Sequence, residues 1–474
     1  MNNSEFRKEA HKMVDWMADY LENIDRYPVK SNVNPREIYD QLEDQPPLEG
    51  EEMQEIFADF KQIILPGITH WQHPNFHAYF PGNSSYPSVL AEMLTATMGA
   101  QCMVWETSPA AAELEEKVME WLRSMLGLPG DWVGVIQDTA SSATLIAILT
   151  AREKCSAYAI NEKGFDGFTN YKVYCSAETH SSIEKAVKIA GMGVDNLDKI
   201  GIDANMAMEP AQLKAAIERD RKNGSSPLCV IATLGTTGTT ACDPIKRIAE
   251  ICRKYNVWLH IDAAYGGTAL VLEEFRWMID GIELADSFVV NPHKWMFTNF
   301  DCSAYFIRDK DALLRTFEIL PEYLKTKVDK QVNNYRDWGL ALGRRFRALK
   351  LWFVIRSFGV SGIKRRIREH IEMAKILATK MEMHPDFELL AAVHFNMICF
   401  RCNPGGISEG KLNEWNEQLI HGINDSGKAY LTHTKINDKY TLRMVIGQTY
   451  VEQKHVDKTW ELIQNLGSAI MKDV

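Results

Sequence analysis

The stretch VWLHIDAAYG, residues 257–266, ends a short apolar run with a carboxylate, Asp262. A second apolar run, SFVVNPHKW at residues 287–295, ends with an amine, Lys294. Short apolar runs of this kind are typical of buried strands, and a charged group at the end of such a strand is costly to bury without a partner. The two runs therefore predict successive strands of one sheet that carry an acid and a lysine at their ends.

Outward from these two stretches, short apolar runs alternate with helical segments over residues 85–310. The runs that predict buried strands lie at 132–136, 172–175, 228–234, 257–261 and 287–290. The segments that predict helices lie at 141–153, 181–190, 210–223 and 244–255. This alternation is typical of a largely parallel sheet covered by helices on both faces. Ligands of such sheets bind beyond the carboxyl ends of the strands.

The first 65 residues predict separate amphipathic helices. Apolar side chains recur at helical spacing over residues 6–24, with Ser4 as the expected N-cap. Two further helices are expected at 37–42 and 51–65. Because these helices have no sheet of their own to cover, we expect them to pack on the main body or on a second subunit.

The chain after Arg344 predicts a long helix and then three strands, at 395–401, 429–434 and 441–446. This order is typical of a small α+β domain. We therefore expect three parts, namely a helical N-terminal segment (1–85), a large α/β domain (86–350) and a small C-terminal α+β domain (351–474).

Composition is that of an ordinary globular protein and excludes several functions. The 474 residues are 46% hydrophobic and 24% charged, with a formal net charge of −10. An acidic balance is atypical of proteins that bind nucleic acids or anionic membranes. The sequence also predicts no signal peptide and no membrane-spanning segment. The odd count of nine cysteines opposes a full disulfide framework, and the Cys399–Cys402 spacing indicates strand packing rather than a metal site. We expect a cytoplasmic protein without metal, nucleic-acid or membrane partners.

A third strand end, CSAETHSS at residues 175–182, adds an imidazole, His180. One cofactor, pyridoxal 5'-phosphate (PLP), uses an acid, a lysine and a flat side chain together. The lysine forms a Schiff base, the carboxylate pairs with the pyridine nitrogen, and the flat side chain stacks on the ring. The phosphate needs backbone donors at a helix N-terminus, and the small residues of DTASSA, 138–143, provide such a place, with Thr236 and Thr237 as further hydroxyl groups. The sequence therefore predicts a PLP site.

These motifs resemble those of the group II PLP-dependent decarboxylases, and most closely those of the aromatic L-amino acid decarboxylases among them. The motifs that carry the resemblance are Asn291-Pro-His-Lys294-Trp, Asp262-Ala-Ala-Tyr-Gly-Gly and Ala177-Glu-Thr-His180-Ser-Ser. Further matches are Tyr79-Phe-Pro, Ser108-Pro-Ala, Asn299-Phe-Asp-Cys-Ser-Ala, Pro321-Glu-Tyr323-Leu and Leu342-Gly-Arg-Arg-Phe-Arg. The resemblance spans essentially the whole chain and implies the fold type I of PLP-dependent transferases.

The resemblance implies a role for each matching residue at the cofactor. Lys294 would be the Schiff-base lysine, Asp262 would hold the pyridine nitrogen, and His180 would stack on the ring. The groups implied to bind or flank the phosphate are Ala140, Ser141, Asn291 and His293. The groups implied to contact the ring region are Thr237 and Ala264.

The resemblance also implies a catalytic tyrosine on a mobile loop. Tyr323 matches the residue that returns a proton to the α-carbon after carbon dioxide leaves. The polar stretch 325–334 matches the loop, and its composition suits a lid. His180 would assist the proton transfer.

The implied substrate is an aromatic L-amino acid, which the enzyme would convert to the arylalkylamine and carbon dioxide. The positions that match the side-chain pocket are Trp71, Tyr79, Phe80 and Pro81, with Gln101 and Met103 from the second subunit of a homodimer, and Gly343. Glycine at position 343 matches plant relatives that tend to take indoles rather than phenols. The preferred substrate stays open among tryptophan, 5-hydroxytryptophan, DOPA, tyrosine and phenylalanine.

Other activities stay open at this point. Related aldehyde synthases carry phenylalanine where Tyr323 stands, so the tyrosine favours simple decarboxylation. A PLP-dependent aminotransferase usually holds the substrate carboxylate with an arginine, for which Arg443 is the candidate by position. A non-enzymatic scaffold is disfavoured because Lys294, Asp262 and Tyr323 are all present.

Overall fold

The computed structural model describes residues 1–165, 170–319 and 331–472. The chain divides into two compact units. The larger consists of Gly82–Ala374 and Ala391–Ile398, and the smaller of Met1–Pro81, Lys375–Leu390 and Cys399–Val474. The division into three parts expected from the sequence stays a prediction.

The larger unit is built on a seven-stranded sheet. Its strands are β1 (Val133–Gln137), β2 (Tyr171–Ser176), β3 (Leu197–Ile200), β4 (Ser226–Thr233), β5 (Trp258–Asp262), β6 (Ser287–Val290) and β7 (Ser303–Ile307). The strand order is β1-β7-β6-β5-β4-β2-β3. Neighbours from β6 to β3 run parallel, whereas β7 runs antiparallel to both β1 and β6. The expected α/β fold with a mostly parallel sheet is confirmed.

The described helices precede, alternate with and follow these strands. They are α1 (Asn3–Glu22), α2 (Met53–Asp59), α3 (Tyr86–Met98), α4 (Pro109–Leu126), α5 (Ala140–Cys155), α6 (Ala159–Lys163), α7 (Ser182–Ile189), α8 (Pro210–Lys222), α9 (Ile245–Tyr255), α10 (Pro292–Trp295), α11 (Lys310–Phe317), α12 (Arg347–Glu382), α13 (Glu409–Asp425) and α14 (Gln453–Lys472). Gly359 interrupts α12 with a positive φ of 65°, a conformation that glycine adopts without steric cost.

The register of the parallel strands aligns their carboxyl ends. Asp262 at the end of β5 is level with Thr233 of β4 and with Val289 of β6. Helix α5 covers one face of this region with fully buried side chains such as Ile146 and Ala147. Strands β5 and β6 are buried along their whole length, which explains why their sequences read as continuous apolar runs.

The second sheet has four strands, β8 (Phe387–Leu389), β9 (Met397–Cys402), β10 (Thr432–Ile436) and β11 (Lys439–Val445), in the order β10-β11-β9-β8. Strand β10 pairs with β11, and β8 with β9, in antiparallel register. Helix α13 packs against both β11 and α14. Among the described residues, no helix is long and apolar enough to cross a membrane.

Some local expectations were wrong. The N-cap of α1 is Asn2 rather than Ser4, because the Asn2 side chain accepts hydrogen bonds from backbone amides and Glu5 completes a capping box. Residues 37–42 do not form an α-helix but contain a 3₁₀ turn at Tyr39–Gln41. The segment expected to be helical over 51–65 is α2 followed by a π-helical turn at Phe60–Ile64. Strands β3, β7 and β8 were not predicted from the sequence.

Candidate active site

The acid, the lysine and the imidazole predicted from the sequence lie at neighbouring strand ends of the larger unit. Asp262 ends β5, Lys294 lies in the short helix α10 after β6, and His180 lies in the turn after β2. Burial lowers the pKa of both His180 and Lys294; the charge of Lys294 lowers the pKa of His180 further, whereas the charge of Asp262 raises the pKa of both groups. These mutual effects indicate that the fold brings the three side chains into one site.

Lys294 lies in an environment that disfavours its charged form. Removal of the ammonium from water lowers the pKa of Lys294 below its ordinary value, and the nearby Asp262 carboxylate only partly opposes this. A lowered pKa increases the fraction of neutral amine near pH 7, and the neutral amine is the nucleophile that a carbonyl compound needs.

Asp262 places a buried carboxylate at the end of β5. The residue is only 6% exposed, and its Oδ1 accepts a hydrogen bond from the Ala264 amide at 3.0 Å. A buried carboxylate needs a positively charged or hydrogen-bonding partner, and the protonated nitrogen of a pyridine ring is such a partner. The residues present thus suit PLP.

Two glycines let the loops after β4 and β5 approach each other closely. Gly235 has a positive φ of 85°, and a Cβ on Gly266 would lie 2.5 Å from the Leu234 carbonyl oxygen. Larger side chains would therefore separate the loop that carries Thr237 from the loop that carries Ala264. Thr237 is exposed at this edge of the sheet, whereas Ala264 is buried.

His180 has a defined proton position in its neutral form. The Ser182 amide donates to Nδ1 of His180 at 3.1 Å, and Oγ of Ser182 lies 2.8 Å from the same atom. Because Nδ1 accepts the amide proton, the neutral ring carries its own proton on Nε2. Burial and Lys294 lower the pKa of His180, which favours this neutral form. The residue is exposed, so its ring is available to a flat ligand.

The N-terminus of α5 lies at the same edge of the sheet. Thr139 is its N-cap and accepts a hydrogen bond from the Ser142 amide at 3.4 Å. Ala140 and Ser141 form the first turn and are partly and fully exposed, respectively. Free backbone amides in a first turn bind phosphate well. Thr236 is engaged elsewhere, since it accepts from the Ala241 amide at 3.0 Å.

Asn291 and His293 attach α10 to the start of β7. The Ser303 hydroxyl donates to Oδ1 of Asn291 at 2.6 Å, and the Cys302 amide donates to Nδ1 of His293 at 2.9 Å. Burial lowers the pKa of His293 to about 3, so this ring is neutral. The two side chains have structural partners here, and their contribution to phosphate binding stays a prediction.

Sequence reasoning missed Asn83. This side chain is fully buried. Its Nδ2 donates to the Lys294 carbonyl at 2.7 Å, and its backbone amide donates to the His293 carbonyl at 2.9 Å. The nearby Ser85 hydroxyl donates to the Phe297 carbonyl at 2.6 Å. The only signal in the sequence is a run of polar residues before α3, which does not indicate a contact with a segment two hundred residues further on.

The predicted aromatic pocket residues lie in the smaller unit. Trp71 and Tyr79 stack with ring centroids 5.8 Å apart and an interplanar angle of 14°. Both are large exposed side chains, at 40% and 47%, whereas Phe80 is partly buried and Pro81 buried. Arg443, the candidate carboxylate clamp, is buried beneath this group. It donates to Oγ1 of Thr432 at 2.8 Å and lies over the Phe80 ring.

The remaining pocket residues form a second group in the larger unit. The Arg344 amide donates to Oε1 of Gln101 at 3.0 Å, and the Arg336 amide donates to the Met103 carbonyl at 2.9 Å. A Cβ on Gly343 would lie 3.5 Å from Nε2 of Gln101. The fold thus brings Gln101, Met103 and Gly343 together on one surface of the same chain.

Tyr323 lies outside the described residues, as does the loop 325–334 up to residue 330. The described end of the loop is attached to the larger unit, because the Trp105 amide donates to Oδ1 of Asn334 at 2.9 Å. The proposed role of Tyr323 stays a prediction.

Residues 35–403 match the family described as pyridoxal-dependent decarboxylase conserved domain. The chain is 40% identical to tyrosine decarboxylase 3 of Petroselinum crispum, over 99% of this chain and 93% of the relative. It is also 40% identical to phenylacetaldehyde synthase of Arabidopsis thaliana, over 99% and 97%. The crystal structure of Oryza sativa TDC with PLP and tryptamine superposes with a TM-score of 0.96 at 34% identity, covering 99% of both chains. Catharanthus roseus tryptophan decarboxylase in complex with L-tryptophan superposes with a TM-score of 0.93 at 37% identity and the same coverage.

Proposed function

The chain belongs to the pyridoxal-dependent decarboxylases, and from this premise we propose that it converts aromatic L-amino acids to arylalkylamines and carbon dioxide. The observation that carries the proposal is the buried carboxylate of Asp262 near the buried amine of Lys294. This arrangement fits the cofactor of the family. The aromatic class rests on relatives named as tyrosine and tryptophan decarboxylases and on the exposed stack of Trp71 and Tyr79.

Four residues are proposed to hold and use the cofactor. Lys294 would bind it covalently through its amine, which the lowered pKa keeps partly neutral. Asp262 would pair with the ring nitrogen through its carboxylate, and His180 would cover one face of the ring. The first turn of α5, with Ala140 and Ser141, would donate to the phosphate.

Each side chain contributes to the reaction by position or by proton transfer. Bound PLP supplies an electron sink for the bond between the α-carbon and the carboxylate. The carboxylate of Asp262 keeps the ring nitrogen protonated. We assign Tyr323 to return the proton at the α-carbon, with His180 as a neighbouring N–H donor that is uncharged near pH 7. A closed loop at 325–334 would exclude water during this step.

We also propose a homodimer. Helix α1 buries none of its residues, and Phe6 is 60% exposed. Helix α3 presents an exposed apolar row at Tyr86, Leu90 and Leu94. A row of exposed apolar side chains is typical of a surface that contacts another protein chain. In this dimer, the surface around Gln101 would complete the site of the second subunit.

Cytoplasmic location is a proposal that rests on cysteine chemistry. All nine cysteines lie in the described residues and are free thiols. Several of them are buried on β-strands, for example Cys175 and Cys229. Unpaired thiols are typical of a reducing compartment.

The test uses purified protein with PLP and a panel of aromatic amino acids. We expect carbon dioxide and amine in equal amounts, and loss of both the cofactor absorbance and the activity in Lys294→Ala. Activity toward glutamate alone would contradict the aromatic assignment, and an intact cofactor spectrum in Lys294→Ala would contradict the role of this lysine.

The same assay separates a second candidate activity. The identity to phenylacetaldehyde synthase of Arabidopsis thaliana favours an aldehyde-forming side reaction as the alternative. Detection of aldehyde and hydrogen peroxide in place of amine would establish that alternative. We expect amine, because position 323 is tyrosine.

A further inference from the structure

The hydroxyl group of Tyr79 has a partner that the proposed function does not use. Oη of Tyr79 lies 3.2 Å from Oη of Tyr430. The two rings meet edge to face, with centroids 6.0 Å apart and an interplanar angle of 80°. Edge-to-face contact of aromatic rings is favourable, so the pair is joined by both a hydrogen bond and a ring contact.

Tyr79 has an unfavourable backbone conformation and an exposed ring. Its φ of 52° lies in the left-handed region, which is unfavourable for a residue with a side chain. Its backbone amide donates to Oγ1 of Thr432 at 3.3 Å. Its ring stacks on Trp71 but is 47% exposed, so few other contacts restrict its rotation.

Tyr430, in contrast, is attached to the smaller unit on several sides. Its amide donates to the Asn75 carbonyl at 3.2 Å, and its carbonyl accepts from the His77 amide at 2.9 Å. Its ring meets Phe76 edge to face at 5.6 Å. Burial and the Tyr79 hydroxyl raise the pKa of Tyr430 to about 12, so its hydroxyl keeps its proton near pH 7.

We infer that Tyr430 is a positioning residue for the aromatic ring of the substrate, and that it acts through the hydroxyl group of Tyr79. The inference rests on the proposed function, in which Tyr79 contacts that ring. A fixed Tyr79 ring offers a preformed apolar surface, whereas a rotating ring must be ordered when the substrate binds. Tyr430 has no direct contact with the substrate in this arrangement.

The experiment is a double-mutant cycle on the holoenzyme with Tyr430→Phe, Tyr79→Phe and the double variant. Each single variant should raise KM by about two- to tenfold with kcat unchanged, because each removes the same net hydrogen bond. The double variant should raise KM no further, since the interaction is already lost. Tyr440→Phe is the matched control. It removes a hydroxyl from another tyrosine of the smaller unit, whose ring stacks on His433, and it should leave KM unchanged.

Other results would overturn the inference. An unchanged KM in Tyr430→Phe, or additive effects in the double variant, would show that Tyr430 does not act through Tyr79. An increase confined to substrates with a ring hydroxyl would show direct recognition of the substrate instead. A thermal melt of each variant separates these effects from lost stability. Absence of activity toward all aromatic amino acids in the wild type would overturn the proposed function together with this inference. If the wild type is active, the KM values of the variants test the role of Tyr430 alone.

Discussion

Replacement of Asn83 by alanine tests whether a residue far from Lys294 in sequence sets the position of that lysine. The change removes the amide group that donates to the Lys294 carbonyl at 2.7 Å. The hydrogen bond from the backbone amide of residue 83 to the His293 carbonyl remains in this variant. Because Asn83 is fully buried, water cannot replace the lost donor without a cavity.

The expected magnitude follows from these contacts. Loss of a buried hydrogen bond costs roughly 1–3 kcal/mol when one partner remains without a replacement. We expect the free energy of unfolding to fall by about that amount. If part of this energy holds α10 in place, the affinity for PLP should fall by about five- to tenfold, equivalent to about 1–1.4 kcal/mol.

The assay measures both quantities on the same preparations. Urea denaturation gives the free energy of unfolding, and the cofactor absorbance retained at a series of PLP concentrations gives the affinity. Asn416→Ala is the matched control, because Asn416 is also fully buried and donates to the Cys402 carbonyl at 2.9 Å, in the smaller unit. The control should lose stability and keep its PLP affinity. A loss of stability with unchanged PLP affinity in Asn83→Ala, as in the control, would refute a positioning role for Asn83.

Three further predictions concern the site and its stability. Asp262→Asn should lower kcat by about 100-fold or more and weaken cofactor binding, because a neutral amide cannot balance the charge of a protonated ring nitrogen. Single-turnover rates and the retained PLP absorbance measure these two effects. A normal rate would contradict the pairing of Asp262 with the ring nitrogen. Gly343→Ser should change the free energy of unfolding by less than about 0.5 kcal/mol, because the new Cβ would lie 3.5 Å from the Gln101 side chain. The same variant should lower the ratio of kcat/KM for tryptophan to kcat/KM for tyrosine about tenfold. An unchanged ratio would show that residue 343 does not line the substrate pocket. Burial lowers the pKa of His77 from 6.5 to about 4. The unfolded chain therefore binds a proton at this residue first, and the free energy of unfolding should decrease as pH falls from 6.5 toward 4. In urea denaturation at about pH 5, His77→Gln should reduce this decrease by up to about 2 kcal/mol, and an unchanged pH dependence would contradict the prediction.

The sequence predicted the elements whose patterns are local. Strands β5 and β6 were predicted within one residue, because buried strands appear as uninterrupted apolar runs. Strand β7 was not predicted, although Ser303–Ile307 is also apolar. It enters the sheet between β1 and β6 in antiparallel direction, and strand order of this kind depends on contacts between distant segments that no local pattern encodes.

The same distinction applies to the site. Asp262, Lys294 and His180 follow apolar runs directly, so the rule that ligands bind at the carboxyl ends of parallel strands predicted that they lie near one another. The capping of α1 by Asn2 rather than Ser4 depends on which of these two nearby polar residues has extended backbone. Both choices satisfy the same sequence pattern, so the pattern does not decide between them.

Lys294 shows why a motif alone does not determine the position of a catalytic group. Its helix, α10, has only four residues, too few to be stable by its own hydrogen bonds. The helix is fixed by the end of β6, by the Cys302 amide on His293, and by Asn83 on the Lys294 carbonyl. All three come from outside the Asn291–Trp295 motif. The amine therefore has its position and lowered pKa only in the folded chain, and substitutions at Asn83 can alter its chemistry while the motif stays intact.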